Sequence, residues 1–263
     1  MMSTLSVENV LMFTLVLVRV SGIIFFLPIF GDSPTPVRVR ILLSVAVAIG
    51  ICGGMNIADS PETIGYSYTS IASYIILVFK ELLIGAFIGY IAKLAFAGLI
   101  MAASIVGYPM GFGVSSILAP DASQQMDAFT TMNRIIMMMI FLGLGFHQIF
   151  MQALISTFEL IPLGHAVFNT DIGTLFISVS SGVFVVAMQL SAPILISLLF
   201  TMAALGLMAR TVPQMNVFTL SFPVSFFVGM FMYLATLPFY SGWIQNYFYE
   251  IEQDILQVIK SFM

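Results

Sequence analysis

The sequence has very few charged residues. They make up 8% of its 263 residues, whereas hydrophobic residues make up 60%. A soluble domain carries about 25% charged residues, so this chain has too few to build a water-facing surface. Its net charge of −4 also lacks the basic field that nucleic-acid binding requires. We therefore predict a membrane protein whose apolar surface faces lipid or other protein chains.

The groups that carry enzymatic or metal chemistry are also scarce. Cys52 is the single cysteine, which excludes an internal disulfide and a thiolate zinc site. His147 and His165 stand apart, without a third ligand at metal spacing. The sequence contains no nucleotide loop, HExxH motif or Ser/His/Asp arrangement. We predict no catalytic, cofactor-binding or metal residues, and a protein that is not an enzyme.

Long apolar runs fill most of the chain and predict an all-α, polytopic helical membrane protein. A membrane span needs about 20 apolar residues in a helix. Residues 10–30 meet this length, interrupted by Arg19, and have no basic start that is typical of a cleaved signal peptide. Residues 172–209 and 211–249 carry no charge and exceed one span. We expect about six hydrophobic helical segments in long, partly broken hairpins, with Pro193 marking either a kinked helix or a tight hairpin.

The composition shows no separate soluble domain, and we predict one helical domain over residues 1–263. Within it, residues 244–263 place Ile251, Ile255, Val258 and Ile259 on one helical face. This segment is predicted to be an amphipathic surface helix.

A glycine-rich but apolar segment lies at residues 107–125. Glycine permits backbone geometries that are closed to other residues, yet a soluble loop is normally polar. Irregular backbone at membrane depth is tolerated only when it is buried in protein or lines a cavity. The segment is therefore predicted to be a re-entrant or pore-occluding loop, the alternative being a flattened surface loop. Its candidate plug or pore residues are Gly107, Pro109, Met110, Gly111, Phe112, Gly113 and Ile117.

Small residues and charges mark a further apolar run. Gly85 and Gly89 form a small-xxx-small pair, which favours close helix packing inside the chain or against another subunit. Lys80, Glu81 and Lys93 are costly in a lipid-facing position. Either their helix starts outside the hydrocarbon, or it lines a wet or protein-filled interior. Adjacent Lys80 and Glu81 point in different directions, so we do not expect them to form one ion pair.

Met137, Met138 and Met139 are consecutive within a predicted helix and cover most of its circumference. Generic lipid or core contact explains such a run. Because methionine side chains are adaptable, a deformable methionine seal is the alternative hypothesis.

Several segments are distinctive in combination. Arg19 precedes a Ser-Gly pair and the turn IFGDSPTPVR, and APIL at 192–195 leads to LGLMARTVPQMNVFTLSFPV at 205–224. The most specific part is centred on Arg210, Pro213, Gln214 and Asn216. With the glycine segment, these residues resemble the FliR/SctT family of type III secretion export-gate proteins over residues 10–245. Members usually carry a lysine where Ser225 stands and a glycine at Ser221, which puts a lysine-dependent contact in doubt.

The resemblance implies a subunit of a flagellar protein-export gate in the bacterial inner membrane, at the basal body. It implies FliP-like and FliQ-like gate subunits and an FlhB-like protein as partners, with unfolded export substrates in transit. The segment 107–120 matches the family's plug, and Arg210, Pro213, Gln214 and Asn216 would serve helix packing or subunit contact. No cofactor and no nucleic acid are implied.

Two alternatives stay open at this point. One is an SctT-type subunit of a virulence type III secretion system. The other is a stand-alone secondary transporter, since helices broken at Pro193 and Pro223 are compatible with half-helix substrate sites. Against a transporter, residues 172–209 contain no ionisable group to bind a coupling ion or a charged substrate.

Overall fold

The computed structural model describes residues 7–27, 35–54, 71–112, 128–167, 171–212, 214 and 216–262. Over these residues the backbone forms helices and turns and no strand, which confirms the predicted all-α class. The α-helices of this described part are α1 (Val7–Phe26), α2 (Val37–Gly54), α3 (Ile71–Gly107), α4 (Ala128–Gly143), α5 (Phe146–Leu160), α6 (Asp171–Thr211) and α7 (Val217–Ser261). A π-helical turn, Tyr108–Phe112, directly follows α3 and is called the π turn below.

The described helices fit the predicted number of membrane segments. Among them α1, α2, α3, α6 and α7 are long and apolar enough to cross a membrane. The pair α4 and α5 is bent by 65° and together provides a sixth candidate span. Gly145 lies in this bend with a φ of 75°, a left-handed conformation that glycine adopts without a Cβ clash. The prediction of a polytopic helical membrane protein with about six segments is confirmed.

The two long uncharged runs form single helices. The helix α6 has 41 residues and α7 has 45, so each is about 60 Å long or more at 1.5 Å per residue. That is about twice the hydrocarbon thickness of a bilayer. Pro193 lies inside α6, and the hairpin alternative at this residue is therefore wrong. A proline removes one backbone donor, but the bonds on either side of it keep the helix continuous.

The chain divides into two compact units. Unit 1 comprises Met1–Leu94, Phe146–Val179 and Glu250–Met263, and unit 2 comprises Ala95–Gly145 and Ser180–Tyr249. Each unit has its own buried core, and α3, α6 and α7 each contribute residues to both. The chain thus contains two packing centres, and the single helical domain over 1–263 stays a prediction.

Aromatic rings and a small polar group form the core of unit 2. The rings of Phe96, Phe141 and Phe248 pack together, with centroids 5.0 to 5.8 Å apart. Nearby, the Tyr233 hydroxyl donates a hydrogen bond of 2.9 Å to Asn133 Oδ1. The Asn133 amide in turn donates to the Leu99 carbonyl at 3.4 Å. The buried amide and hydroxyl thus have partners, as burial in apolar surroundings requires.

The predicted C-terminal helix is the end of α7 rather than a separate element. Its apolar face is buried within unit 1, with Ile251, Ile255, Val258 and Ile259 all less than 5% exposed. Phe262 is fully buried, its ring packs against Phe87 and its carbonyl accepts a bond from Val167 N at 3.0 Å. The apolar face of this segment thus packs against the chain itself, and its role as an amphipathic surface helix stays a prediction.

Candidate functional site

The start of the predicted plug segment is helical. An irregular loop was expected from Gly107, but α3 continues through Gly107 and then widens into the π turn. Only Gly111 departs from helical geometry, with a φ of 101°. In an apolar environment the backbone must satisfy its own hydrogen bonds, which favours a distorted helix over an open loop. Short π turns of this kind are frequent at functional sites.

Met110 in the π turn packs onto a glycine of α7. Its side chain is fully buried. A Cβ atom at Gly229 would lie 2.6 Å from Met110 Cγ and 2.8 Å from Met110 Sδ. Real Cβ atoms do not approach so closely, so only glycine at 229 leaves room for the methionine. This contact ties the π turn to the N-terminal third of α7 within unit 2.

The neighbouring residues of the π turn contact aromatic rings of α7 and α4. The Phe222 ring lies where a side chain at Gly111 would project. Phe112 stacks on Phe129 at 5.7 Å between centroids and packs against Phe226 at 5.8 Å. The described part of the predicted plug is therefore held by apolar contacts with both α4 and α7.

A cavity of about 500 Å³ lies beside the π turn, and Tyr108 and Pro109 contribute to its lining. Ser221 and Ser225 of α7 also line it, and Ser225 is 3% exposed. These two residues depart from the pattern of the resembled family. The structure thus places the departure next to the π turn, where a longer side chain at 225 would change the cavity.

The remaining predicted plug residues, Gly113 and Ile117, lie outside the described residues, as does the rest of 113–127. The described site therefore comprises Gly107, Pro109, Met110, Gly111 and Phe112.

The methionine run on α4 faces three directions, since Met137 is 4% exposed, Met138 is half-buried and Met139 is 69% exposed. Met137 belongs to the core of unit 2, and the methionine seal stays a prediction.

The small residues Gly85 and Gly89 pack against α1 of the same chain. Side chains at these positions would collide with the backbone of α1 at Arg19 and Ile23. Gly22 of α1 faces the same contact, because its Cβ would lie 3.0 Å from the backbone of Ala86. Both helices therefore approach with almost no side chain between them, which selects the intramolecular alternative for this pair.

A buried ion pair in unit 1 is the feature that sequence reasoning missed. Arg19 of α1 and Glu81 of α3 are both fully buried, and Arg19 Nε donates to Glu81 Oε2 at 2.5 Å. Arg19 Nη1 also donates to the carbonyls of Thr157 and Ile161 at 2.9 and 3.0 Å. The backbone amide of Gly164 donates to Glu81 Oε1 at 2.9 Å. The signal in the sequence was a basic residue, Arg19, within one apolar run and an acidic residue, Glu81, within another, and buried charges of opposite sign favour mutual pairing.

Lys80 has a different environment from Glu81, as expected for adjacent residues on a helix. Lys80 Nζ donates to the Ala166 carbonyl at 3.3 Å. Lys93 is exposed, with its ammonium 5.9 Å from the centre of the Phe26 ring. Of the two readings of this helix, the protein-filled interior fits Glu81.

The signature between α6 and α7 lies at the surface. Arg210, Gln214 and Asn216 are exposed, and Pro213 lies outside the described residues. Arg210 occupies the last turn of α6, where a cation interacts favourably with the helix dipole. Asn216 Oδ1 accepts a bond from Thr219 N at 3.3 Å, which makes Asn216 the N-cap of α7.

Metal ligands do not cluster in the described part of the chain, where no three His, Cys, Asp or Glu residues come together. The features that stand out are therefore the π turn, the glycine contact of α1 with α3, and the buried ion pair.

Comparison with known proteins identifies relatives over nearly the whole chain. The "Flagellar biosynthetic protein FliR" of Bacillus subtilis is 28% identical over 239 residues, covering 90% of each chain. The protein of the same name from Escherichia coli is 26% identical, covering 93% of this chain and 91% of its own. The Aquifex aeolicus protein of that name is 24% identical over 93% of this chain and 91% of its own. Residues 10–251 match the family described as bacterial export proteins, family 1, and the chain belongs to that family.

Proposed function

We propose that this chain is a non-enzymatic subunit of the flagellar type III protein-export gate, in the bacterial inner membrane at the basal body. Membership of a family of bacterial export proteins supports the export role. The names of its relatives, flagellar biosynthetic proteins, favour the flagellar over the virulence apparatus. The observation that carries the proposal is the π turn, an apolar backbone distortion held in the core of unit 2 by Met110 and Gly229.

The lengths of the helices support a role inside a larger assembly. Both α6 and α7 exceed the bilayer thickness, yet they keep large apolar side chains exposed along their length. Examples are Phe184 at 61%, Phe200 at 73%, Phe231 at 71% and Phe239 at 77% exposed. Apolar surface beyond the hydrocarbon layer requires protein cover. We propose that FliP-like and FliQ-like subunits supply that cover, with an FlhB-like protein associated.

We propose that the segment 107–120 contributes the plug that closes the channel to small solutes between passages of unfolded substrate. The apolar packing of Met110, Gly111 and Phe112 supports this role, because it anchors the start of the segment in the protein. Methionine is also suited to a contact that has to be released and remade.

The transporter alternative has lost its main support. It depended on helices broken at Pro193 and Pro223, and both prolines lie inside continuous helices. Broken helices with exposed termini are what a midplane substrate site of that kind uses.

Co-purification tests the assembly. The full chain, tagged and co-expressed with the genes that neighbour its own, is extracted in mild detergent and analysed by native mass spectrometry. A stable complex containing FliP-like and FliQ-like chains is the expected result. A particle that contains this chain alone, while the neighbouring proteins are present in the membrane, would contradict the proposal.

Loss of the plug should make the assembled gate leak. The deletion is best confined to residues 113–120, because a cut from 107 would also remove the core side chain of Met110. We expect the purified complex carrying this deletion to release small solutes from liposomes several-fold faster than the unchanged complex. An intact complex with unchanged permeability would reject the plug role.

A further inference from the structure

The contact between Met110 and Gly229 has the form of a side chain seated in a notch. Met110 is fully buried, and Gly229 is a buried glycine on a helix whose neighbouring residues are bulky. Its neighbours Phe227 and Phe231 are 70% and 71% exposed, so their rings do not fill this buried position. The missing side chain at 229 leaves the space that Met110 occupies.

A second contact fixes the same turn one residue later. Gly111 has a φ of 101°, and the face of its backbone is covered by the Phe222 ring. Phe222 and Gly229 lie seven residues apart on α7, which places them about two turns apart on one face of the helix. The π turn is therefore held on α7 at two points, and both depend on a residue without a side chain.

We propose that Met110 is the positioning residue of the plug: its seating in the Gly229 notch holds the π turn on α7 in the closed gate, and opening withdraws it. This inference rests on the plug role proposed above. A methionine fits such a part, because its unbranched side chain leaves and re-enters a hole with little steric restriction. The π turn connects directly to the chain that follows it, so releasing Met110 frees the base of the plug.

A reversible cross-link tests whether the contact has to open. Cys52 is the single native cysteine, so Cys52→Ala gives a thiol-free background. Met110→Cys and Gly229→Cys are then introduced together. Met110 Cγ stands where the new sulfur would be and lies 2.6 Å from the Cβ position at 229, so a small adjustment brings the two sulfur atoms within bonding distance. Diamide takes the two protons and two electrons of the two thiols, and dithiothreitol returns them.

We expect the oxidised pair to reduce export of a flagellar reporter protein at least tenfold, and reduction to restore it. Each single cysteine in the same background should give an export level that does not change between diamide and dithiothreitol. Full export through a chain shown by gel shift to be cross-linked would overturn the proposal.

A steric variant tests the closed state without cross-linking. Gly229→Ala displaces Met110, so we expect the assembled complex to leak several-fold faster than the unchanged one. Gly242→Ala is the matched control, because Gly242 is also on α7 and has no atom within 4 Å of its Cβ position. The readout is solute release per assembled complex, so that loss of folding is separated from loss of closure.

Coupling between the two residues completes the test. Met110→Ala should leak as Gly229→Ala does, and the double variant should leak no more than either single variant. Additive leaks, or a Gly229→Ala complex that does not leak, would overturn the proposed role of Met110. If the 113–120 deletion leaks while these variants do not, the role of Met110 is rejected and the plug role is retained. If the deletion itself stays tight, the plug role fails first.

Discussion

At the scale of single residues, the buried pair of Arg19 and Glu81 is the strongest constraint in unit 1. Arg19 uses Nε for the carboxylate and Nη1 for two carbonyls, and it lies 4.5 Å from the centre of the Phe158 ring. One guanidinium thus holds α1, α3 and the end of α5. The attraction between the two buried charges offsets the cost of removing each from water. If one of them is lost, the other stays buried without compensation and the fold is strongly destabilised.

Removing one partner should therefore destabilise the protein far more than removing both. Arg19→Met leaves Glu81 charged and buried, which costs about 3–5 kcal/mol. Arg19→Met combined with Glu81→Leu should recover most of that loss, measured as the unfolding midpoint of the purified complex. Arg38→Met, at an exposed arginine of α2, is the control and should change little. A double variant as unstable as the sum of the two singles would show that the residues act independently.

At the scale of elements, close approach between helices depends on glycine. The pair α1 and α3 meets through Gly22, Gly85 and Gly89, which leave the two backbones in contact. Within a bilayer this is how helices gain dispersion energy, since lipid is as apolar as a leucine side chain.

Adding one methyl group at this contact should separate the helices. Gly85→Ala places its Cβ against the Arg19 carbonyl, and overpacking of this kind costs about 1–3 kcal/mol. Gly50→Ala in α2 is the matched control, because no atom lies within 4 Å of its Cβ position. The control should be neutral or stabilising, by up to about 1 kcal/mol, since alanine favours helix. Equal unfolding midpoints for the two variants would show that the α1–α3 contact tolerates the methyl group.

At the scale of the whole molecule, unit 1 is assembled from three separated parts of the sequence. The last turns of α7 belong to it, with Ile255 fully buried. Unit 1 can therefore finish folding only after the C-terminal end of α7 has been synthesised and has packed into it.

A polar residue in that face should therefore loosen unit 1. Ile255→Asn buries an amide without a built partner, and we expect lower abundance in the membrane and faster proteolysis at residues 146–179. Gln253→Asn, two residues away at an exposed position, should leave both unchanged. Identical cleavage patterns would argue that this end of α7 is dispensable for the fold of unit 1.

Much of the architecture follows from the sequence because the bilayer imposes few solutions. Long uncharged runs cannot leave backbone groups unpaired in lipid, so they predict helices, and about six segments are present. The apolar face of 251–259 was visible from its spacing alone. The spacing of Gly85 and Gly89 also predicted close helix packing, but it did not show which helix packs against them.

The sequence determined the helical membrane class and the apolar segments, because these depend on local composition and period. Tertiary structure decided which groups meet: Arg19 with Glu81, Gly85 with α1, and Met110 with Gly229. Residues 62 or more positions apart in sequence share such contacts, and no local pattern encodes them. It also decided that Pro193 stays within one helix and that residues 108–112 form a π turn, because tertiary packing outweighs the local preference of glycine and proline to break a helix.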